Sequence, residues 1–284
     1  MRFLVLGAGG MAGHTISIYL QEQGHEVTGF ARRKLNYVKT IVGDATNYAF
    51  VQGIVCQGNF DVIVNAIGIL NQDAEDRRSL AVMLNGYYPH FLAEITGDMD
   101  TQIIHISTDC VFSGKHGNYT EESIRDGETF YDRSKALGEL EDKKNITFRN
   151  SIVGPDINTE GIGLFNWFMK QSDKIRGFTK VMWTGMTTPQ LAKMIEKAAL
   201  LHVTGLYNLV PDHNISKYEL LRLFNQYFRE NKIVIQPDES ICSDKTLIRT
   251  HFEFSEIVPD YEVMVYEMAK WIKVHKHLYP HYNL

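Results

Sequence analysis

The sequence predicts an α/β protein, a doubly wound parallel (Rossmann) sheet followed by a smaller, mostly helical C-terminal substrate domain. Three observations predict it. Short β-rich runs alternate with helical stretches through the first half of the chain, and such alternation builds a parallel sheet covered by helices on both faces. A glycine loop, Gly7-Ala8-Gly9-Gly10-Met11-Ala12-Gly13, follows the first run directly and opens a helix. After Gly154-Pro155 the rhythm changes to longer helices joined by loops rich in Gly, Thr and Asp.

Taken in order, residues 3–6 form an apolar strand and residues 11–23 carry helical spacing that stops at Gly24. Strands are expected at 26–30, 38–42 and 61–66, a helix at 85–95, a strand at 102–107, a helix at 130–142 and a strand at 146–149. Beyond the boundary, helices are expected at 164–171, 189–201, 217–230 and 261–275, with two short strands around 205–210 and 232–235. The chain therefore divides into a dinucleotide-binding part, 1–154, and a substrate-binding part, 155–284. No Gly/Ser/Pro linker separates them, so the boundary is soft and the two parts pack tightly or interleave.

Composition narrows the function classes. The 284 residues carry a net charge of −5, which gives no bulk electrostatic claim on nucleic acid or an anionic membrane. No apolar run reaches the roughly 18 residues of a bilayer span, and the first apolar stretch runs straight into the glycine loop instead of a signal-peptide cleavage site. A cytoplasmic protein is expected. Cys56, Cys110 and Cys242 are scattered, without a C-x-x-C pair, which argues against a disulfide scaffold or a zinc finger. His275, His277 and His281 read as a solvated tail, and no metal is expected.

The glycine loop has the G-x-x-G-x-x-G pattern of Gly7, Gly10 and Gly13. The first glycine permits a tight turn and the second lets backbone approach a pyrophosphate. The third lets the helix lie close to the sheet, and the helix opening at Met11 faces the anion with free N–H groups. No Gly-Lys-Ser/Thr ending follows, which argues against a P-loop. NAD-selective sites place a carboxylate at the end of the second strand; here that place is Ala31, followed by Arg32 and Arg33. Two guanidinium forks suit the 2′-phosphate of NADPH, with NADH as the alternative and plain solvated arginines as the bland reading. Asp44 and Ala45 follow the third strand, where an adenine-edge contact would lie, although Asp44 equally suits an ordinary turn.

Tyr131 and Lys135 stand four residues apart, on one helix face. The ammonium favours phenolate, which would bring the tyrosine toward use as a proton donor near neutral pH. Thr108 lies at the end of the fifth strand, and strand C-termini line the ligand crevice of a parallel sheet. It can hydrogen-bond the substrate oxygen that Tyr131 protonates. Asn65, Ala66 and Ile67, with Gly68, end the fourth strand on the same edge and leave room for a cofactor ring.

This order resembles the extended short-chain dehydrogenase/reductase family, in its dTDP-4-dehydrorhamnose reductase-like branch. The resemblance rests on the glycine loop, Asn65-Ala66-Ile67-Gly68, Asn85 with Pro89 and Leu92-Ala93, Ser107-Thr108-Asp109-Cys110-Val111-Phe112-x-Gly114, Tyr131-x-x-x-Lys135 with Gly138-Glu139, and Phe148 to Gly154. It continues through Gly205 to Leu209 and Ser216-Lys217-Tyr218-Glu219. It implies hydride transfer from a nicotinamide to the 4-keto group of a nucleotide-linked 6-deoxy-sugar. Tyr131 would donate the proton, Lys135 would lower its pKa and hold the nicotinamide ribose, and Thr108 would polarise the keto oxygen. Asn85 would belong to the cofactor side, and Asp109, Ser151 and Ile152 to the substrate side.

The chain departs from that branch where the sugar is read. A Trp usually follows the Arg-Thr-Ser stretch, and here that place is Ile152. The Asp-Gln-x-Gly-x-Pro-Thr stretch is replaced by residues 178–188, where Trp183 either stacks on the sugar or base or belongs to the core. UDP- or GDP-linked 4-keto-6-deoxyhexoses suit the chemistry as well as the dTDP-linked sugar. Related 4,6-dehydratases carry Glu where this chain has Cys110, and 4-epimerases use the second-strand acid that Ala31-Arg32-Arg33 lacks. A non-catalytic NADP-binding regulatory subunit, as in the beta subunit of methionine adenosyltransferase, is the reading from another class. Exposed Tyr or Phe on the helices would serve a homodimer or a second-domain core equally well.

Overall fold

The computed structural model describes residues 1–282; Asn283 and Leu284, the end of the expected second part, lie outside them. The strands are β1 (Arg2–Leu6), β2 (Glu26–Ala31), β3 (Lys39–Val42), β4 (Val62–Asn65), β5 (Gln102–Ile106), β6 (Ile146–Arg149), β7 (Ser151–Val153), β8 (Lys174–Trp183), β9 (Gly185–Thr187), β10 (Gly205–Asn208), β11 (Ile215–Ser216) and β12 (Val234–Asp244). The α-helices are α1 (Met11–Glu22), α2 (Tyr48–Gly58), α3 (Asn71–Asp76), α4 (Arg78–Ala81), α5 (Tyr88–Ile95), α6 (Phe130–Leu137), α7 (Leu164–Met169), α8 (Thr188–Leu200), α9 (Lys217–Arg229) and α10 (Tyr261–Val274).

Seven strands form one parallel sheet in the order β10-β6-β5-β4-β1-β2-β3. The order reverses at β1, which pairs with both β2 and β4, and a crevice opens there beyond the strand C-termini. Period-two alternation explains how each strand serves two cores. On β1, Phe3 and Val5 enter the larger apolar cluster, shared with α1, α8, α9 and α10, whereas Leu4 and Leu6 enter a smaller one with α2 and α5. The last strand, β10, comes from the second half of the chain and pairs with β6, so the polypeptide re-enters the first sheet after leaving it.

Helix boundaries follow local chemistry. Thr129 and Asp132 close a reciprocal capping box at the start of α6, and Ser216 and Glu219 do the same for α9. Gly138 ends α6 five residues earlier than the sequence spacing suggests. Helix α2 escapes a sequence reading because Gly53 and Gly58 break its pattern and three valines or isoleucines lower its propensity. The helix expected at 85–95 opens instead as a π-helical turn, Val82–Tyr87, before α5.

Beyond residue 154 the structure holds more strand than expected. The ten-residue β8 is the centre of a three-stranded sheet, β11-β8-β12, and β7 pairs with β9. β12 extends over 11 residues where a short strand was expected. Its side chains are mostly exposed and Pro237 interrupts it, so an apolar pattern could not reveal it. The C-terminal stretch is packed rather than solvated: Tyr279, Tyr282 and His275 are buried, and His275 bonds Glu22 at 2.8 Å. No helix among the described residues is long and apolar enough to cross a membrane.

Candidate active site

The glycine loop sits at the crevice where the strand order reverses. Gly7 has φ +82°, and a Cβ there would come within 2.9 Å of the Ala66 carbonyl oxygen. Gly13 is tighter still, since a Cβ would lie 2.1 Å from the Gly7 oxygen. Gly10 caps α1 without a side chain, and the first bond of the helix runs from the His14 N–H to the Gly10 carbonyl at 3.0 Å. The preceding N–H groups at the α1 N-terminus have no side-chain acceptor, an arrangement that fits the pyrophosphate of a dinucleotide. Met11 turns its thioether toward Gly163 at the mouth of α7.

Three residues that sequence reasoning missed brace this loop. The Tyr37 hydroxyl donates to the Ala8 carbonyl at 2.9 Å. Asn158 donates to the Gly9 carbonyl at 3.5 Å and accepts from Arg33 Nη2 at 3.1 Å. His14 Nδ1 meets the Gly10 carbonyl at 2.9 Å. Only their distance from the motif in sequence concealed Tyr37 and Asn158. Arg32 and Arg33 are exposed at the end of β2. Asp44 Oδ1 accepts from the Thr46 N–H and hydroxyl, and these bonds hold its carboxyl below the usual range, with the Arg32 charge adding to the effect. Asp44 thus forms a turn of its own beside Arg32, and Ala45 next to it is buried.

On the opposite side of the switch point, β4 ends at Asn65, whose Oδ1 accepts from the Ile67 N–H at 3.2 Å and whose Nδ2 meets His105 at 3.2 Å. Ala66 and Ile67 remain half-buried at the crevice. Asn85, in the π-helical turn, is fully buried; it pairs with both the N–H and carbonyl of Ile69 and donates to Ser134 Oγ at 3.0 Å. A wide helical turn at this point lets one amide tie the β4 loop to α6.

The residues expected to react converge at the C-terminal end of β5. Thr108, Asp109 and Tyr131 are all buried, and the Thr108 hydroxyl lies near enough to the Tyr131 phenol to act on its titration. Thr108 also bonds Asp109 Oδ1 at 3.1 Å and accepts the Cys110 N–H at 3.2 Å. Burial, with the nearby Cys110, Asp109 and Asp132, raises the Tyr131 pKa, and the Thr108 hydroxyl opposes that rise. Lys135 lies on the same face of α6, but its Nζ donates to the Ile106 carbonyl at 2.8 Å. Burial lowers its pKa to about 8, against the opposing charge of Glu139. The expectation that Lys135 brings the phenol pKa down is therefore corrected: desolvation by burial governs Tyr131 and keeps the phenol protonated.

A cation to which the sequence reading gave no role lies beside the site. Lys217, the first residue of α9, lies with Nζ 4.7 Å from the centre of the Trp183 ring and couples electrostatically to Asp109 and Cys110. Trp183 itself is 3% exposed and packs in the main core. No face of it is open to a sugar or base, so of the two expectations for Trp183 the structure supports the core. Ser151 and Ile152 stand half-buried on β7, and neither makes a hydrogen bond or ring contact with Thr108, Tyr131 or Lys135 among the described residues. Burial pushes the Cys110 thiol up to about 12, so it carries no charge where dehydratases carry a carboxylate.

Fold and site together define a Rossmann-like α/β protein with a Tyr–Lys pair and a threonine at the switch-point crevice. Residues 1–242 match the family described as the RmlD substrate binding domain, and the chain belongs to that family. It is 26% identical over 226 residues to the spore coat polysaccharide biosynthesis protein SpsK of Bacillus subtilis, covering 77% of this chain and 76% of that protein. It is 33% identical over 140 residues to a dTDP-4-dehydrorhamnose reductase of Streptomyces griseus, covering 49% of this chain but only 43% of that protein. Among solved structures, the dTDP-4-dehydrorhamnose reductase of Bacillus anthracis in complex with NADP superposes with a TM-score of 0.79 at 21% identity, over 96% of this chain and 99% of that one.

Proposed function

We propose that this chain is an NADPH-dependent reductase of the 4-keto group of a nucleotide-linked 4-keto-6-deoxyhexose, of the dTDP-4-dehydrorhamnose reductase kind. The juxtaposition of buried Thr108 and Tyr131 carries this reading, because Thr108 follows β5 at the same end of the sheet as the glycine loop that follows β1. A ketone entering there meets a polarising hydroxyl and a protonated phenol side by side.

NADPH, when bound, supplies the hydride that goes to the keto carbon. The chain's own residues do the rest. The α1 N-terminus holds the pyrophosphate, and Arg32 and Arg33 take the 2′-phosphate as bidentate donors. Asn65, Ala66, Ile67 and Asn85 shape the nicotinamide side. Thr108 polarises the carbonyl, and Tyr131 O–H gives its proton to the oxygen as the C4 carbinol forms. Lys135 stabilises the phenolate left behind and holds the nicotinamide ribose. Residues 155–284, apart from β10, supply the sugar-reading part, with Asp109, Ser151 and Ile152 facing the substrate.

The relative of Streptomyces griseus named above is a reductase of this kind, and a Streptomyces niveus relative named a dTDP-4-keto-6-deoxy-D-glucose reductase matches this chain at 30% identity over 140 residues. Reduction with NADPH deuterated at nicotinamide C4 tests the proposal. Deuterium at sugar C4 of the product is expected, and its appearance nowhere on the sugar would refute it.

A further inference from the structure

Two groups beside the catalytic pair have open valences: Asp109, placed above on the substrate side without a partner atom, and Lys217, which has no role in the chemistry above. Asp109 Oδ1 is taken by Thr108 and Cys110, while its Oδ2 has no hydrogen-bond partner among the described residues. Lys217 Nζ likewise has neither a hydrogen bond nor an ion pair among them, only the Trp183 ring beneath it. Lys217 is only half-buried. The two groups face one another closely enough for each charge to act on the other.

We propose that Asp109 and Lys217 form a hydroxyl clamp, in which Lys217 is a specificity-determining residue that recognises a free hydroxyl on the sugar carbon next to the keto group. The inference rests on the reductase reading of the site. A sugar hydroxyl both donates and accepts, so it satisfies the Asp109 oxygen and the Lys217 ammonium at once. The place on the sugar follows from spacing. Thr108 Oγ1 lies 3.1 Å from Asp109 Oδ1, so the free Oδ2 of the same carboxylate is close enough to the Thr108 hydroxyl for the two to reach oxygens on adjacent ring carbons. When Thr108 meets the keto oxygen, Asp109 meets the oxygen beside it.

Nothing else near Asp109 offers the same donor. Lys245 also acts on it, but its Nζ is turned to Asp132 at 3.9 Å. Trp183 holds the Lys217 ammonium in place from below, which reduces the entropy lost when the hydroxyl binds. An analogue lacking that hydroxyl would leave a carboxylate and an ammonium without partners, the condition under which a polar site discriminates most strongly.

The test is calorimetric and needs no turnover. With NADP⁺ present, the affinities of two dTDP-hexoses are compared, one bearing and one lacking the hydroxyl on the ring carbon that flanks C4 and does not carry the 5-methyl branch. The wild-type chain should prefer the hydroxylated sugar by about 100-fold or more. Lys217→Met should cut that preference at least tenfold, Lys217→Arg should keep most of it, and both variants should bind NADPH as the wild type does. An unchanged preference in Lys217→Met overturns the clamp while leaving the reductase reading intact. Failure of the wild type to bind either sugar overturns both.

Discussion

The Lys135 ammonium donates to the Ile106 carbonyl at 2.8 Å, so the cation of the Tyr–Lys pair is anchored to the last residue of β5, two residues before Thr108. Helix α6 and β5 are thereby fixed to each other at the point where Tyr131 meets Thr108. Behind them lies a second anchor. Ser107 Oγ and Arg149 both donate to Glu139, and Arg149 is fully buried.

Tyr131→Phe removes the proposed proton donor and leaves the glycine loop untouched. The expected result is a kcat lower by about 10²–10⁴ with an unchanged NADPH affinity. Stopped-flow reduction and a fluorescence titration of NADPH check the two halves; retained turnover would remove Tyr131 from the mechanism.

Arg32→Ala deletes a charge-assisted contact available to the 2′-phosphate. NADPH binding should weaken about 10- to 100-fold, and NADH binding should hardly change. Equal losses for both cofactors would return Arg32 to the solvated surface.

Gly13→Ala forces a Cβ against the Gly7 oxygen, 2.1 Å away in the present backbone. Overpacking at such a contact costs about 1–3 kcal/mol or more. Chemical denaturation should show that loss together with loss of NADPH binding. A Gly24→Ala control meets no neighbour within 4 Å, although its φ of +84° still imposes strain.

Glu139→Gln uncouples the buried Arg149. Burial raises the Glu139 carboxyl, but Arg149, Ser107 and Arg125 pull it below its ordinary value overall. Breaking a buried pair costs about 3–5 kcal/mol at neutral pH. A depressed carboxyl pKa stabilises above the unfolded value, and the contribution is lost as pH falls through the folded one. The stability gap between wild type and Glu139→Gln should therefore narrow toward acid; a gap that widens there would contradict the role of the charge.

The first sheet was legible in the sequence because its strands are apolar on both faces and its glycines mark the turns. Phe3, Val5, Leu4 and Leu6 alternate between two cores, and Gly7 follows at once. The placement of the proposed trio was legible for a related reason, since Thr108, Tyr131 and Lys135 fall where the end of β5 and helix spacing put them. What escaped depends on long-range packing. Asn158 reaches the glycine loop across 149 residues, and Lys217 meets Asp109 only after α9 folds against β8. The state of Tyr131 also escaped, because desolvation outweighs a lysine that bonds elsewhere.

The most direct test of the central claim follows NADPH oxidation against dTDP-, UDP- and GDP-linked 4-keto-6-deoxyhexoses generated in situ. The account predicts stoichiometric NADPH consumption with one nucleotide series and a C4 alcohol as the product. No oxidation with any of them, by protein shown to bind NADPH tightly, would contradict it and point to a cofactor-binding regulatory subunit.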